Sequence, residues 1–172
     1  EIASFNSRGL DLHDETTLVG LVVAAVVSKD GEMANDYQIA LDDLNAIDNR
    51  ALTKKAADGA LAKLGGEPAP TGKYPVIFDP EAMSDLLSTF SSVFSAEHAR
   101  KGLSKLAGQE GQTIAAPAVT LVDDPACPGC FLQRSFDAEG SPAYRKNIIE
   151  GGVLNTLLYD LKNAALAGRE TT

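Results

Sequence analysis

Thr16-Thr17-Leu18-Val19-Gly20-Leu21-Val22-Val23-Ala24-Ala25-Val26-Val27, then Ser28-Lys29-Asp30-Gly31-Glu32, then the alternating Tyr37, Ile39 and Leu41, is the stretch that decides the fold class. Its first part is rich in β-branched residues, which suit a pleated, half-buried surface. Asp30-Gly31 is a strong short-range hairpin signal, because both positions tolerate the positive φ that a tight reversal needs. Upstream, Ile2 and Phe5 lead into Asn6-Ser7-Arg8-Gly9, which reads as a strand entering a tight turn. Leu10 and Leu12 alternate with Asp11 and His13, a period of two. The simplest pairing of the strands at 10–13, 16–27 and 37–41 is an antiparallel meander.

Further along, the period changes. Asp48 is placed to cap a helix on which Leu52, Ala56, Ala60 and Leu64 share one face, and Gly65-Gly66 closes it. Glu67-Pro68-Ala69-Pro70-Thr71-Gly72 is polar and carries two prolines, the signature of a linker. Beyond it, Val76-Ile77-Phe78 reads as a short strand. Asp79-Pro80-Glu81 is a helix start, with a cap residue, proline at the first position and an acid in the first turn. Met83, Leu86, Leu87, Phe90, Val93 and Phe94 fall on one stripe, expected to be core, with Leu87→Ala costing about 2–5 kcal/mol. Residues 97–111 read as a polar, locally helical or mobile connection. Val119–Val122 reads as a strand, Ile148–Tyr159 as a hairpin turning at Gly151-Gly152, and Asp160–Leu166 as a closing helix.

The expectation is therefore an α+β fold. Residues 1–66 form the end of an N-terminal α+β lobe, an antiparallel meander plus helix. Residues 67–73 are a linker. Residues 74–172 open a C-terminal lobe, in which the 80–94 helix packs on mixed or antiparallel strands. The chain starts without methionine, in the middle of an apparent strand, and is read as a fragment of a longer protein.

Composition narrows the function. The 172 residues carry 15 basic and 24 acidic side chains, a net charge of −9, with 44% hydrophobic residues. That is globular usage. Phosphate-backbone binding needs clustered Lys and Arg, so direct nucleic-acid binding is not expected, and an anionic membrane is disfavoured on the same ground. No apolar run is long enough to span a bilayer. Two cysteines make no disulfide framework, and a cytoplasmic location is expected.

Few residues offer chemistry. Cys127-Pro128-Gly129-Cys130 has dithiol spacing, but a redox thiolate needs a helix N-terminus after it, and a zinc site needs two more ligands. The plainer reading is a reduced loop pair. His13 and His98, the two histidines, stand far apart among polar residues. Asp123-Asp124 and Asp137-Ala138-Glu139-Gly140 could bind a cation or act as acid and base, yet turn chemistry accounts for them.

Six pieces in order resemble the TldD/PmbA family, known as modulators of DNA gyrase and as peptide-maturation proteases. They are Asn6-Ser7-Arg8-Gly9, Tyr74–Pro80, Val119–Pro125, Phe136–Pro142, Ile149–Leu154 and Ala164–Gly168. In TldD-like members, the helix after the strand read here as Val76–Phe78 carries His-Glu-x-x-x-His, which binds a metal together with a later cysteine. In this sequence Asp79 stands at the first histidine, Pro80 at the glutamate and Ser84 at the second histidine.

The resemblance thus implies the PmbA/TldE branch: a non-catalytic subunit that joins a TldD-like metalloprotease subunit acting on a peptide or unfolded protein. It implies no catalytic, cofactor-binding or metal-binding residue in this chain and no cofactor. A homodimer is the expected form in isolation. The competing expectation is a stand-alone hydrolase or redox protein using Cys127 and Cys130 or the acidic cluster.

Overall fold

The computed structural model describes residues 1–41, 45–128, 130 and 133–172. In chain order they form β1 (Ile2–Phe5), β2 (Asp11–Asp14), β3 (Gly20–Lys29), β4 (Glu32–Leu41), α1 (Asn49–Ala62), α2 (Pro80–Phe90), a short 3-10 turn (Ser91–Phe94), α3 (Ala96–Arg100), β5 (Leu121–Asp123), β6 (Lys146–Glu150), β7 (Val153–Leu154) and α4 (Leu161–Ala167). The fold is α+β, as expected.

Two compact units emerge: Thr16–Pro75, and Glu1–Glu15 together with Val76–Thr172. The sequence places a boundary at 67–73, but the first fifteen residues fold with the C-terminal part rather than with the stretch that follows them. For the same reason the expected meander becomes two separate sheets. Strand β1 pairs with β2, β3 pairs with β4, and no ladder joins β2 to β3 among the described residues. The alternation in the sequence identifies the strands but does not say which partner each will take.

In the unit Thr16–Pro75, Asp30 and Gly31 both adopt positive φ, 51° and 86°. This sets the register Lys29↔Glu32 and, further down, Val22↔Ile39. Leu21, Val23, Ala25 and Val27 face α1 with the buried Gln38, and Ala56 and Ala60 of α1 are fully buried against that face. The opposite face of the hairpin carries Val22, Val26, Tyr37 and Ile39, all exposed. Helix α1 starts where Asp48 accepts hydrogen bonds from the Arg50 and Ala51 amides, both at 3.0 Å. After it, the Gly65 amide donates to the Glu32 carboxylate at 2.9 Å.

In the second unit, β5, β6 and β7 form an antiparallel sheet in that order, turning through Gly151 and Gly152 at positive φ. Ile148, Ile149, Leu154, Leu157, Tyr159, Ala96 and Ala164 make the core, with Phe94 and Leu121 packed at its margin. Gly152 admits no side chain, because a Cβ there would sit 2.4 Å from the Ala115 carbonyl oxygen. Helix α4 is capped by Asp160 and ends at Gly168 in the left-handed region, φ 64°.

Two expectations for this unit are corrected. Val76–Phe78 joins no sheet among the described residues, and Ile77 is 98% exposed. The stripe on α2 is not core: Met83, Leu86, Leu87 and Phe90 are all exposed, Phe90 to 61%. Only Phe94, beyond the helix, reaches the core. The periodicity correctly signals an amphipathic helix. Amphipathicity states which face seeks cover, not whether this chain supplies it.

Candidate functional site

Helix α2 begins as its sequence dictates. The Asp79 carboxylate accepts from the Ala82 amide at 2.8 Å, and Pro80 occupies the first turn, where its missing N–H has no partner to lose. These are the positions to which the resemblance assigns metal ligands. Asp79 spends a carboxylate oxygen on the cap, Pro80 has no ligating atom, and Ser84 offers a neutral hydroxyl on an exposed surface. The residues present do not fit a zinc or other catalytic divalent ion, whose shell needs imidazole, thiolate or carboxylate donors converging on one point. Among the described residues, no three His, Cys, Asp or Glu side chains are grouped to hold a metal ion.

The remaining candidates lie elsewhere. The His13 ring nitrogen Nε2 is 3.0 Å from Asp11 Oδ1 on the exposed β2 strand, and His98 Nδ1 is 3.0 Å from the Ser92 carbonyl oxygen on α3. Asp123 pairs with Lys146 at 2.9 Å and Asp124 with Arg145 at 3.4 Å. Asp137 accepts from the Glu139 and Ser141 amides at 2.9 and 2.8 Å, and Glu139 accepts from the Leu161 amide at 2.8 Å, adding a second acceptor at the start of α4. The acidic clusters are thus engaged in ion pairs, a turn and a helix end.

Cys127 and Cys130 do come together. The Cys130 amide donates to the Cys127 carbonyl at 3.1 Å, closing a turn that starts three residues earlier. A hydrogen bond donated by the Cys127 thiol to Cys130, then burial, then the charges of Cys130 and Asp124 push the Cys127 thiol up from its ordinary range. That is the opposite of a catalytic redox thiol, which is held as thiolate at a helix start or beside a cation.

One polar cluster escaped the sequence reading. Glu110 accepts from the Leu157 amide at 3.0 Å, the Tyr159 hydroxyl at 2.9 Å and Arg169 Nη1 at 2.7 Å. Burial, then the Glu110 hydrogen bond, raise the Tyr159 phenol above its usual range. The Arg169 guanidinium also lies 5.4 Å from the Tyr159 ring centre. Glu110 sits in a polar stretch without periodicity, and its partners lie about fifty residues on, so no local pattern announces it. The cluster ties the 108–112 turn to the segment before α4, and its geometry is structural.

Residues 71–172 match the family model described as the PmbA/TldA metallopeptidase C-terminal domain, and residues 1–64 match the PmbA/TldA metallopeptidase central domain. The chain belongs to the PmbA/TldD family. Among solved structures, a proposed modulator of a DNA gyrase from Thermotoga maritima superposes with a TM-score of 0.88 at 33% identity, over 96% of this chain and 39% of that one. TldE from Thermococcus kodakarensis superposes with a TM-score of 0.87 at 27% identity, over 99% of this chain and 39% of that one. A metalloprotease from Methanothermobacter thermautotrophicus is 29% identical over 98% of this chain and 38% of its own length. The chain therefore spans about two-fifths of the PmbA/TldD relatives it matches. No helix among the described residues is long and apolar enough to cross a membrane.

Proposed function

We propose that this chain belongs to a non-catalytic, PmbA/TldE-like subunit that works by assembling with a TldD-like metalloprotease subunit, which brings the metal. The observation that carries this reading is α2. It keeps its cap and its amphipathic pattern, yet the positions assigned to ligands hold a capping carboxylate, a proline and a serine. The likeness to TldE over 99% of the chain supports the same branch. In this reading the substrate is a peptide or unfolded protein undergoing maturation or proteolysis, the complex is a cytoplasmic heterodimer, and the isolated subunit pairs with itself. The net charge of −9 on these 172 residues disfavours direct binding of this part of the subunit to DNA.

The test is a three-way assay of unfolded-peptide cleavage by the full-length protein, by a TldD-like partner and by their mixture. The mixture alone, or the mixture well above the partner, is the expected source of activity, and a chelator abolishes it. Cleavage by this protein alone, unaffected by chelator, would overturn the reading.

A further inference from the structure

We infer that α2 is an interior helix of the complete subunit: the stretch of the same polypeptide that follows Thr172 pairs a strand with Val76–Phe78 and lays an apolar surface over Met83, Leu86, Leu87 and Phe90. This goes beyond the subunit reading and does not depend on it. Three observations carry it.

The first is the open backbone. Val76, Ile77 and Phe78 are consecutive apolar residues, and all three are exposed. Among the described residues their amides and carbonyls make no ladder or turn hydrogen bond. The Asp79 that follows has extended backbone, φ −70° and ψ 164°. Residues of this kind suit a pleated, half-buried surface. An unpaired row of backbone donors and acceptors is a template for a further strand.

The second is the helix. At 11 residues, α2 has a length at which an isolated helix is marginal in water. Among the described residues, the only element it packs on to any extent is the 3-10 turn that continues it. Met83, Leu86, Leu87 and Phe90 share one face, while Glu81 and Asp85 fall on the opposite one, so the cover that α2 calls for is uncharged. A peptide that comes and goes, or a partner that dissociates, would leave strand and helix bare between encounters. A cover joined to the same chain is always present.

The third is where the remaining length lies. The chain spans about two-fifths of the solved relatives it matches, so most of such a protein lies outside these residues. The bare strand and helix fall at the start of the stretch that matches the C-terminal domain, not in the stretch that matches the central one. The part that completes a C-terminal domain follows in the chain. The consequence is functional: the helix on which the resemblance places the ligands of TldD-like members is sealed inside this subunit, and neither substrate nor partner docks on it.

The experiment is hydrogen exchange read by mass spectrometry on the full-length protein. It is run over a dilution series, alone, with a TldD-like partner and with alkylated, unfolded casein. The amides of Val76, Ile77 and Phe78 should exchange at least about 100-fold more slowly than in an unstructured peptide, at every concentration and whatever is added. Phe90→p-benzoylphenylalanine should crosslink on illumination within its own chain, to residues beyond Thr172. The exchange is read on the unmodified protein, so it stands whether or not that variant folds. Near-intrinsic exchange at 76–78 in the protein alone would overturn the inference, as would slowing that appears only with the partner, with casein or at high concentration. A crosslink to the partner, to a second copy or to residues before Glu1 would overturn it too. Failure of the subunit reading shows elsewhere, as cleavage by this protein alone, and leaves both readouts unchanged.

Discussion

Asp36 fills the space that a side chain at position 59 would need: a Cβ built on Gly59 lies 2.2 Å from Asp36 Oδ2 and 3.3 Å from Asp36 Cβ. Helix α1 rests on β4 at a distance set by this pair. The carboxylate cannot swing aside freely, because Lys63 Nζ holds it at 2.7 Å and Gln38 Nε2 at 3.1 Å. Alanine ordinarily favours a helix interior over glycine by about 1 kcal/mol. Here the clash reverses the sign, and Gly59→Ala should destabilise the chain by about 1–3 kcal/mol. In an Asp36→Ala background the same substitution should be neutral or stabilising. A double-mutant cycle by urea denaturation measures the coupling.

The same carboxylate gives an acid dependence. The hydrogen bonds from Lys63 and then Gln38 hold Asp36 below the usual aspartate range. In Asp14, the Ser135 amide is the main cause of a similar lowering. A carboxyl whose pKa is depressed by folding adds stability that is fully present above its unfolded value and disappears as pH falls through its folded value. Stability should therefore be flat through neutral pH and fall once the pH drops below the ordinary aspartate range. Lys63→Met should flatten part of that fall. Thermal melts across the acid range, wild type against variant, read the difference.

Glu110 joins three partners while only 16% of its side chain is exposed. Glu110→Ala strands the Leu157 amide and the Tyr159 hydroxyl, and should cost about 1–3 kcal/mol. Tyr159→Phe in that background should recover part of the loss, because it removes one stranded group. Chemical denaturation of the single and double variants tests this.

Leu87 separates an exposed stripe from a buried one. At 41% exposure it should lose less than about 1 kcal/mol on substitution by alanine, against the roughly 2–5 kcal/mol of a core leucine. A core-sized loss in the isolated chain would show that another surface covers α2 in solution, and sedimentation would then report self-association.

The purified, tag-free chain should hold no stoichiometric zinc by elemental analysis, and a chelator should leave its melting temperature unchanged. Asp79, Pro80 and Ser84 cannot complete a shell, and two thiols alone leave a tetrahedral ion half-coordinated.

What the sequence conveyed was local. Asp30-Gly31 announced its hairpin because the turn needs two residues that accept positive φ, and both adopt it. Asp48 and Asp79 cap the helices they precede, as their sequence context announced, and Asp160, read as the first helical residue, is the cap of α4. The stripe Leu52, Ala56, Ala60 and Leu64 found its cover because β3 and β4 lie just upstream. The identical argument failed for Met83, Leu86, Leu87 and Phe90, since nothing in a helix's own periodicity names the opposing surface. Pairing partners were equally silent: β2 looks as suited to β3 as to β1, and the tight Asn6–Leu10 turn decided in favour of β1. At the candidate site, Asp79, Pro80 and Ser84 could be read one by one from the sequence. The Glu110 cluster could not, because its partners meet only in three dimensions.

The outward face of the β3–β4 hairpin has one more implication. Two ten-residue strands carry Val22, Val26, Tyr37 and Ile39 outward, and each strand pairs only with the other among the described residues. Both outer margins therefore present rows of backbone donors and acceptors beside a nonpolar surface, the arrangement from which cross-β stacking propagates. Lys29, Asp30 and Glu32 place charge at the tip, where they act as gatekeepers, but the middle of the ribbon has none on that side. Expressed by itself, this chain should be most prone to fibril growth through residues 20–27 and 33–41, and a lysine at position 24 or 37 is the economical way to keep it in solution.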